Sequence, residues 1–539
     1  MATQALEPPF DEGADIADIV ASIATLEDAV RVHGRHHPDR NAVTFDGRNL
    51  TFGQLDARSN QLASALAAEG LGPEDRVAVA LKNSTYYFET LFGARKLGAV
   101  QVGINCRLAA AEMVYILKDA GARVLVLDSE LIALADAIRA DVGDGVRILV
   151  AGDGDHAGLE DYDAWLAAFP AADPGHRSEP DDTALQLYTS GTTGRPKGVM
   201  LANRNLQAYF AAARDIFPIP YQGVHLIALP LFHVAALVWS MRALTHGGHC
   251  VGLRDFDAER LLSMIEEYRA NDFIVVPAVL QMLVNQADPA KTDFSSLKAV
   301  GYGGAILTEK LARRTIEIFK QPIYGMYGST ELAFGCTILF IDDAVLADPV
   351  LLESCGQPLP GTTLRIVNTE TLEPVADGTV GELWVASGQR AKGYWNLPEA
   401  TEESFRSDGW FRTGDMGFVR DNTLYLTDRL KDMIKTGGEN VYPAEVERVL
   451  AEHPAIEDSV VIGVPDEKWG EAVKALVILC KGASADADEI IAFTRQRLAG
   501  FKCPKTLEIV ESLPRTASGK VQKNVVREAY WRGHERRIN

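Results

Sequence analysis

No stretch of the chain approaches the ~18 consecutive apolar residues that a membrane-spanning helix needs. The segment Met1 to Val20 is acidic where a secretory leader would be basic, so the expectation is a cytoplasmic protein without integral membrane association. Positive charge is also in deficit: 53 Lys and Arg stand against 74 Asp and Glu, a net charge of -21. That balance excludes a general nucleic-acid or anionic-membrane surface, because no global positive field draws phosphates in. Anionic ligands must instead find local positive pockets. Cysteine is scarce, and Cys106, Cys250, Cys336, Cys355, Cys480 and Cys503 are scattered with no close metal-like pairing. They read as reduced, mostly buried thiols rather than a disulfide framework.

What the chain has is length and apolar content. Its 539 residues, 47% of them hydrophobic, exceed one ordinary domain and predict at least two globular units. Thr51-Phe52-Gly53-Gln54 has capping-box spacing ahead of a helical run from Leu55 to Ala67. The apolar segment Val77 to Leu81, a helical stretch from about Ser84 to Leu97 and a further apolar segment from Ala99 follow, an alternation suited to a parallel sheet with helical crossovers. A second series, Leu226 to Leu229, Phe273 to Val276 and Leu297 to Val300, is separated by the helix-like segments Ala258 to Tyr268 and Glu309 to Phe319, and predicts a second layered sheet.

From about Ser354 to Leu426 short strands and Gly/Pro turns predict a small barrel or distorted antiparallel sheet. The fold class is therefore α/β: a large N-terminal domain, residues 1–430, of two layered sheets plus a small β-barrel-like part. A small mobile α+β domain, residues 431–539, completes it. In that C-terminal part Pro443 opens a helix with Val446, Val449 and Leu450 on one face. Strands Ser459 to Val464, Ala475 to Cys480 and Thr506 to Val510 and an amphipathic segment Glu489 to Leu498 follow.

Four segments carry chemistry. Tyr188-Thr189-Ser190-Gly191-Thr192-Thr193-Gly194-Arg195-Pro196-Lys197-Gly198-Val199 combines hydroxyls and glycines that let backbone N–H groups approach an anion, and reads as a phosphate loop. It is not the common P-loop, because Pro196 precedes Lys197 and a strand-like run follows instead of a helix. Tyr324-Gly325-Met326-Tyr327-Gly328-Ser329-Thr330-Glu331 joins an aromatic face, a hydroxyl and a carboxylate, which suits a nucleotide-Mg²⁺ site; taken alone it could equally be a turn. Asp415 in Gly409-Trp410-Phe411-Arg412-Thr413-Gly414-Asp415, with Arg429 beyond it, could fix a ribose or form a structural salt bridge. Pro514-Arg515-Thr516-Ala517-Ser518-Gly519-Lys520 places a lysine on a small-residue loop, significant only in the company of the other three.

With these four segments in this order, the sequence resembles the adenylate-forming superfamily of acyl-CoA synthetases, luciferases and peptide-synthetase adenylation domains, over nearly the whole chain from about Leu50 to about Arg527. Within it the chain is most similar to bacterial fatty-acyl and aryl-acyl CoA ligases. That likeness is carried by Leu229-Pro230-Leu231-Phe232-His233-Val234-Ala235-Ala236 and by Asp432-Met433-Ile434-Lys435-Thr436-Gly437-Gly438-Glu439-Asn440-Val441-Tyr442-Pro443.

The resemblance implies an ATP-dependent acid-thiol ligase that uses ATP, Mg²⁺ and coenzyme A. Thr189, Ser190, Gly191, Thr192, Thr193, Gly194 and Lys197 would hold the ATP phosphates, with Thr189 and Glu331 contacting Mg²⁺. Gly304, Ala305, Gly325, Met326 and Tyr327 would border the adenine, Thr330 the α-phosphate, and Asp415 with Arg429 the ribose. Lys520 would be the adenylation lysine, Lys431 the hinge, and Gly437, Gly438 and Glu439 part of the coenzyme A approach, with Lys435 a further nucleotide contact. Gly325 departs from the pattern, since many relatives carry a polar side chain there.

By the same resemblance an acid pocket is bounded by His233, Val238, Trp239, Tyr302, Gly303 and Ala333, and accommodates a medium or long aliphatic chain or an aryl acid. His233 either positions the acid or is hydrogen-bonded packing. The competing readings are an acyl-AMP ligase that loads a carrier protein, a light-emitting oxygenase and a silent acyl-adenylate sensor. A homodimer is expected by analogy with similar ligases.

Overall fold

The computed structural model describes residues 16–532, apart from 155, 157, 190–194, 215, 218–219, 437–438, 467 and 516–520. The chain gathers into two compact units, one of Met1–Thr363 with Val385–Phe411, the other of Leu364–Trp384 with Arg412–Asn539. No helix among the described residues is long and apolar enough to cross a membrane.

Two sheets carry the first unit. The eight-stranded one runs in the order Gly393–Tyr394, Lys197–Ala202, Thr183–Thr189, Val100–Gly103, Arg76–Ala80, Val124–Asp128, Arg147–Ala151, Glu160–Asp161. Its central strands are parallel, and every residue of Arg76–Ala80 and Val124–Asp128 is buried. Strands covered on both faces read as continuous apolar runs, which is why Val77 to Leu81 was legible. The crossover helices Phe52–Ala68 and Thr85–Lys96 lie where the sequence predicts them.

The first of these helices opens on the expected reciprocal cap: Gln54 N donates to Thr51 Oγ1 at 3.2 Å, and Thr51 N donates to Gln54 Oε1 at 2.9 Å. Thr51→Ala is expected to cost about 1 kcal/mol. A lowered urea midpoint, followed by circular dichroism, checks this; an unmoved midpoint would remove the cap from the stability account.

The nine-stranded sheet runs Gln357–Pro358, Thr337–Ile341, Ile323–Tyr327, Ala299–Gly303, Asp272–Val275, Val224–Ile227, His249–Gly252, Asn41–Phe45, Arg48–Thr51. Helices Ala258–Glu267, Pro277–Gln286 and Glu309–Phe319 lay Leu261, Ile265, Leu283, Leu311 and Phe319 against Phe273 and Val300 of the sheet. Their 3.6-residue spacing of apolar side chains is what produces this face. The strand expected at Leu297 to Val300 begins instead at Ala299; Leu297 closes a turn by donating from its N–H to Phe294 O at 3.1 Å.

Thr362–Val367, Gly381–Ser387, Phe411–Arg420 and Thr423–Arg429, most of whose residues belong to the second unit, form a four-stranded sheet in that order. The order has two ends, so the sheet is open and the barrel-like expectation is replaced by the sheet alternative. The turns at Asp421 and Asn422, both with positive φ, let the last pair reverse tightly. Beyond it the α+β part folds around Ile434, Val446, Leu450, Val461, Val473, Val477 and Ile490. It has helices Pro443–Ala451, Ala487–Arg495 and Lys523–Trp531 and strands Ile456–Asp466, Gly470–Leu479 and Thr506–Ile509. Pro443 occupies the first turn of its helix, as the sequence predicts.

Candidate active site

Strands Ala299–Gly303 and Ile323–Tyr327 are parallel neighbours in register Tyr302↔Gly325 and Gly303↔Met326. Their C-terminal ends therefore bring Gly303, Gly304 and Ala305 beside Gly325, Met326 and Tyr327, at the edge where open α/β sheets bind ligands. Gly304 has φ +82°, a left-handed conformation that suits glycine. The departure at Gly325 has a packing cause. A Cβ there would lie 2.5 Å from Tyr302 Oη, so the Tyr302 ring occupies the space that a side chain would need. Tyr302 itself is buried in the core of the nine-stranded sheet.

After Tyr327 the chain makes a loop that returns as strand Thr337–Ile341. Gly328 lets this loop close: a Cβ at 328 would stand 1.7 Å from Phe334 O. Cys336 N donates to Tyr327 O at 2.8 Å and Phe334 N to Ser329 O at 3.1 Å. Within the loop Ala333 has φ 51° and Phe334 φ 114°. Such positions cost about 1–3 kcal/mol each and persist where surrounding structure dictates them, most often at ligand sites. The helical turn Thr330–Leu332 holds Thr330 and Glu331 half-buried, and the Ser329 hydroxyl is buried with no hydrogen-bond partner among the described residues.

The segment expected to be a phosphate loop follows strand Thr183–Thr189 and precedes strand Lys197–Ala202, an antiparallel pair whose last register partners are Thr189↔Lys197. Residues Ser190, Gly191, Thr192, Thr193 and Gly194 lie outside the described residues. Lys197 Nζ sits 4.7 Å from the centroid of the Tyr394 ring, and Tyr394 Oη donates to Glu331 Oε1 at 3.0 Å. The base of the phosphate hairpin and the Glu331 carboxylate are thus tied through one tyrosine. Burial, and next the Glu331 charge, push the Tyr394 hydroxyl above its usual range, so it stays a donor at any working pH. Ala391 N donates to Glu331 O at 2.8 Å, and Trp395 N to Gly198 O at 2.7 Å, which seats this edge segment against both motifs.

His233 is the residue before helix Val234–Thr245 and is half-buried, its ring 4.6 Å from that of Phe232. Asn83 braces the preceding turn: its Nδ2 donates to Leu229 O at 3.0 Å and its Oδ1 accepts from Leu231 N at 2.8 Å. Val238 and Trp239 are buried on that helix, and the Trp239 and Phe334 rings are 6.4 Å apart, which sets the helix beside the Ala333 segment.

The remaining candidates belong to the second unit. Asp415 and Arg429 are directly opposite in an antiparallel pair. Asp415 N donates to Thr413 Oγ1 at 3.0 Å. Lys431 lies in the short turn Leu430–Asp432, and Asp432 is held by Arg527 Nη2 at 2.9 Å. Exposed Lys435 and Glu439 flank the tip of hairpin Ile434–Thr436 / Glu439–Val441; Gly437 and Gly438 at that tip, and Lys520, lie outside the described residues.

The residues described fit a nucleotide. Three glycines sit where a Cβ would collide or a φ is positive, and a buried hydroxyl at Ser329 adjoins Thr330. Among the described residues no group of three or more His, Cys, Asp or Glu side chains could hold a metal alone. Mg²⁺ commonly takes one or two carboxylates plus substrate phosphates, and Glu331 offers a carboxylate of that kind. Tyr394 and Asn83 carry no signal in the sequence. Tyr394 stands 63 positions from Glu331, and only the pairing of Gly393–Tyr394 with strand Lys197–Ala202 reveals it.

Comparison with known proteins gives the family. The chain is 36% identical to a fatty acid--[acyl-carrier-protein] ligase, ScoC, of Streptomyces coeruleorubidus, over 96% of this chain and 98% of that one. It is 39% identical to a feruloyl-CoA synthase of an Amycolatopsis species, over 92% and 97% of the two chains. Among solved structures, ATP-bound MatB from Rhodopseudomonas palustris superposes with a TM-score of 0.83 at 30% identity, covering 95% of this chain and all of that one (100%). Residues 30–395 match the AMP-binding enzyme model and residues 445–520 the AMP-binding enzyme C-terminal domain. The chain accordingly belongs to the AMP-binding enzyme family, whose mixed α/β fold of large N-terminal and small C-terminal parts it shares with adenylate-forming enzymes.

Proposed function

We propose that this enzyme is an acyl-CoA synthetase: it joins a carboxylic acid to ATP as acyl-AMP with release of pyrophosphate, then transfers the acyl group to the thiol of coenzyme A. The observation that carries this reading is the Lys197–Tyr394–Glu331 connection, which couples a phosphate loop to a carboxylate. At neutral pH the acid and the triphosphate are both anions, and two unit charges ~4 Å apart repel by about 4 kcal/mol at an effective dielectric near 20. Lys197, Lys520 and the loop N–H groups oppose that repulsion and stabilise charge on the α-phosphorus and the departing pyrophosphate. Thr189 and Glu331 would hold Mg²⁺, which when bound neutralises phosphate charge. Thr330 takes the α-phosphate, Tyr327 stacks on the adenine, Asp415 and Arg429 hold the ribose, and Lys435 is a further contact to the nucleotide.

Lys431 marks the division between an adenylation domain, residues 1–430, and a C-terminal domain, residues 431–539, that rotates between the half-reactions. Gly437, Gly438 and Glu439 then line the coenzyme A approach. The acid is a fatty or aryl acid, the classes named for the relatives above. A cytoplasmic setting and a homodimer accompany this reading on family analogy.

The experiment is pyrophosphate release over a panel of fatty and aryl acids, with and without coenzyme A. Acid-dependent release with thioester formed only in the presence of coenzyme A supports it. Release that yields product only with a phosphopantetheinyl carrier protein would move the chain to the second reading, acyl-AMP ligation to a carrier, which the similarity to a carrier-protein ligase favours. Glu331→Gln is expected to slow Mg²⁺-dependent pyrophosphate exchange by about 10²-fold and to raise the Mg²⁺ needed for half-maximal rate. Exchange with wild-type rate and metal dependence would remove Glu331 from the metal site.

A further inference from the structure

Arg242 lies on the same helix as Val238 and Trp239, the helix that follows His233, and its role is not exhausted by folding. It is buried, only 3% exposed, and its Nε has no hydrogen-bond partner among the described residues. It forms no ion pair with any described residue; its guanidinium carbon instead faces the rings of Phe217 at 5.7 Å and Trp239 at 5.8 Å. Asp272, whose charge acts on Arg242, accepts from Trp239 Nε1 through Oδ1 at 2.9 Å, and its Oδ2 lies 2.8 Å from His225 Nδ1.

Nearby, the Tyr209 hydroxyl is fully buried and likewise has no hydrogen-bond partner among the described residues. The Tyr209 ring lies 5.4 Å from that of Phe334, which lies 6.4 Å from Trp239. Arg242 and Tyr209 therefore share an aromatic cluster with the strained loop that carries Thr330 and Glu331. Aromatic faces compensate a guanidinium only in part. A buried cation with a spare donor beside a buried hydroxyl with a spare proton is a pair of donors lacking an acceptor.

We infer that Arg242 and Tyr209 form the polar far end of the acid pocket and select carboxylic acids carrying a second oxygen acceptor, a carboxylate or a carbonyl, remote from the reacting carboxyl. This rests on the acyl-CoA synthetase reading and narrows its substrate class. Helical rise sets the length: eight steps from Val234 to Arg242 span about 12 Å, about the reach of an extended decanoyl chain. Burial pulls the Arg242 pKa below its ordinary value, yet a guanidinium keeps its charge, and burial raises that of Tyr209, so both remain donors.

The test uses the full chain and three stable acyl-AMP mimics, the N-acylsulfamoyl adenosines bearing decanoyl, 9-oxodecanoyl and 9-carboxynonanoyl groups, with affinities from calorimetry. Both oxygen-bearing mimics are expected to bind about 10–100-fold more tightly than the decanoyl one. The carboxylate and carbonyl arms tell which acceptor is preferred. R242M should bring the ratio close to one, and R242K should retain part of it in the carboxylate arm; a ratio between ligands on one sample is insensitive to the fraction folded. A wild-type ratio near one, or a ratio that R242M leaves unchanged, overturns the inference while the synthetase reading stands. Failure of all three mimics to bind would bring down the synthetase reading and this inference with it.

Discussion

Lys520→Ala is expected to lower acid-dependent pyrophosphate release by about 10²–10³-fold, while thioester formation from supplied acyl-AMP stays near the wild-type rate. The lysine is proposed to bridge the substrate carboxylate and the α-phosphate only while the anhydride forms. A cation acting on charge that develops in one transition state affects one half-reaction and spares the other. Two assays on the same preparation read this: pyrophosphate release with acid and ATP, and chromatography of acyl-CoA made from added acyl-AMP. Equal losses in both would mean that Lys520 serves binding common to the two states or the fold itself.

Gly328→Ala is expected to be nearly as damaging, for a reason that is geometric instead of electrostatic. The added Cβ would meet Phe334 O at 1.7 Å and Phe334 C at 2.7 Å, backbone atoms that cannot rotate aside. Opening the loop would displace Thr330 and Glu331, and a misplacement of about 1 Å at reacting groups can cost 10²-fold in rate. The thermal midpoint should fall as well, since overpacking costs about 1–3 kcal/mol. Gly335→Ala, in the same loop, meets nothing nearer than Met326 Cβ at 3.6 Å and should melt close to wild type. If both variants melt and react alike, the tight return at Gly328 does not position the site.

Much of the scaffold was legible because local chemistry and global placement agree. Thr51 and Gln54 announce a helix start, Glu309 to Phe319 repeats with helical period, and Thr189 to Lys197 sits between two strands as its composition requires. What escaped depends on partners distant in sequence. Asn41–Phe45 belongs to the nine-stranded sheet beside His249–Gly252, although nothing in its own residues distinguishes that sheet from the other. Tyr394 stands on a two-residue edge strand too short for any periodicity. Nothing in the sequence marks Arg242 as buried; the rings of Phe217 and Trp239 around it do. The open four-stranded sheet could not be told from a barrel, because closure is decided by pairing and not by strand composition.

The insertion of Asn41–Phe45 between Arg48–Thr51 and His249–Gly252 has a consequence for biosynthesis. During translation this apolar strand leaves the ribosome some two hundred residues before its parallel neighbour exists, a delay of roughly 10–40 s at ordinary elongation rates of about 5–20 residues per second. Throughout that interval Ala42, Val43 and Phe45, all buried in the finished enzyme, have no sheet to enter. Until then the strand can pair only with Arg48–Thr51 and stack Phe45 on Phe88, so its burial in the sheet waits on synthesis of the distant neighbour.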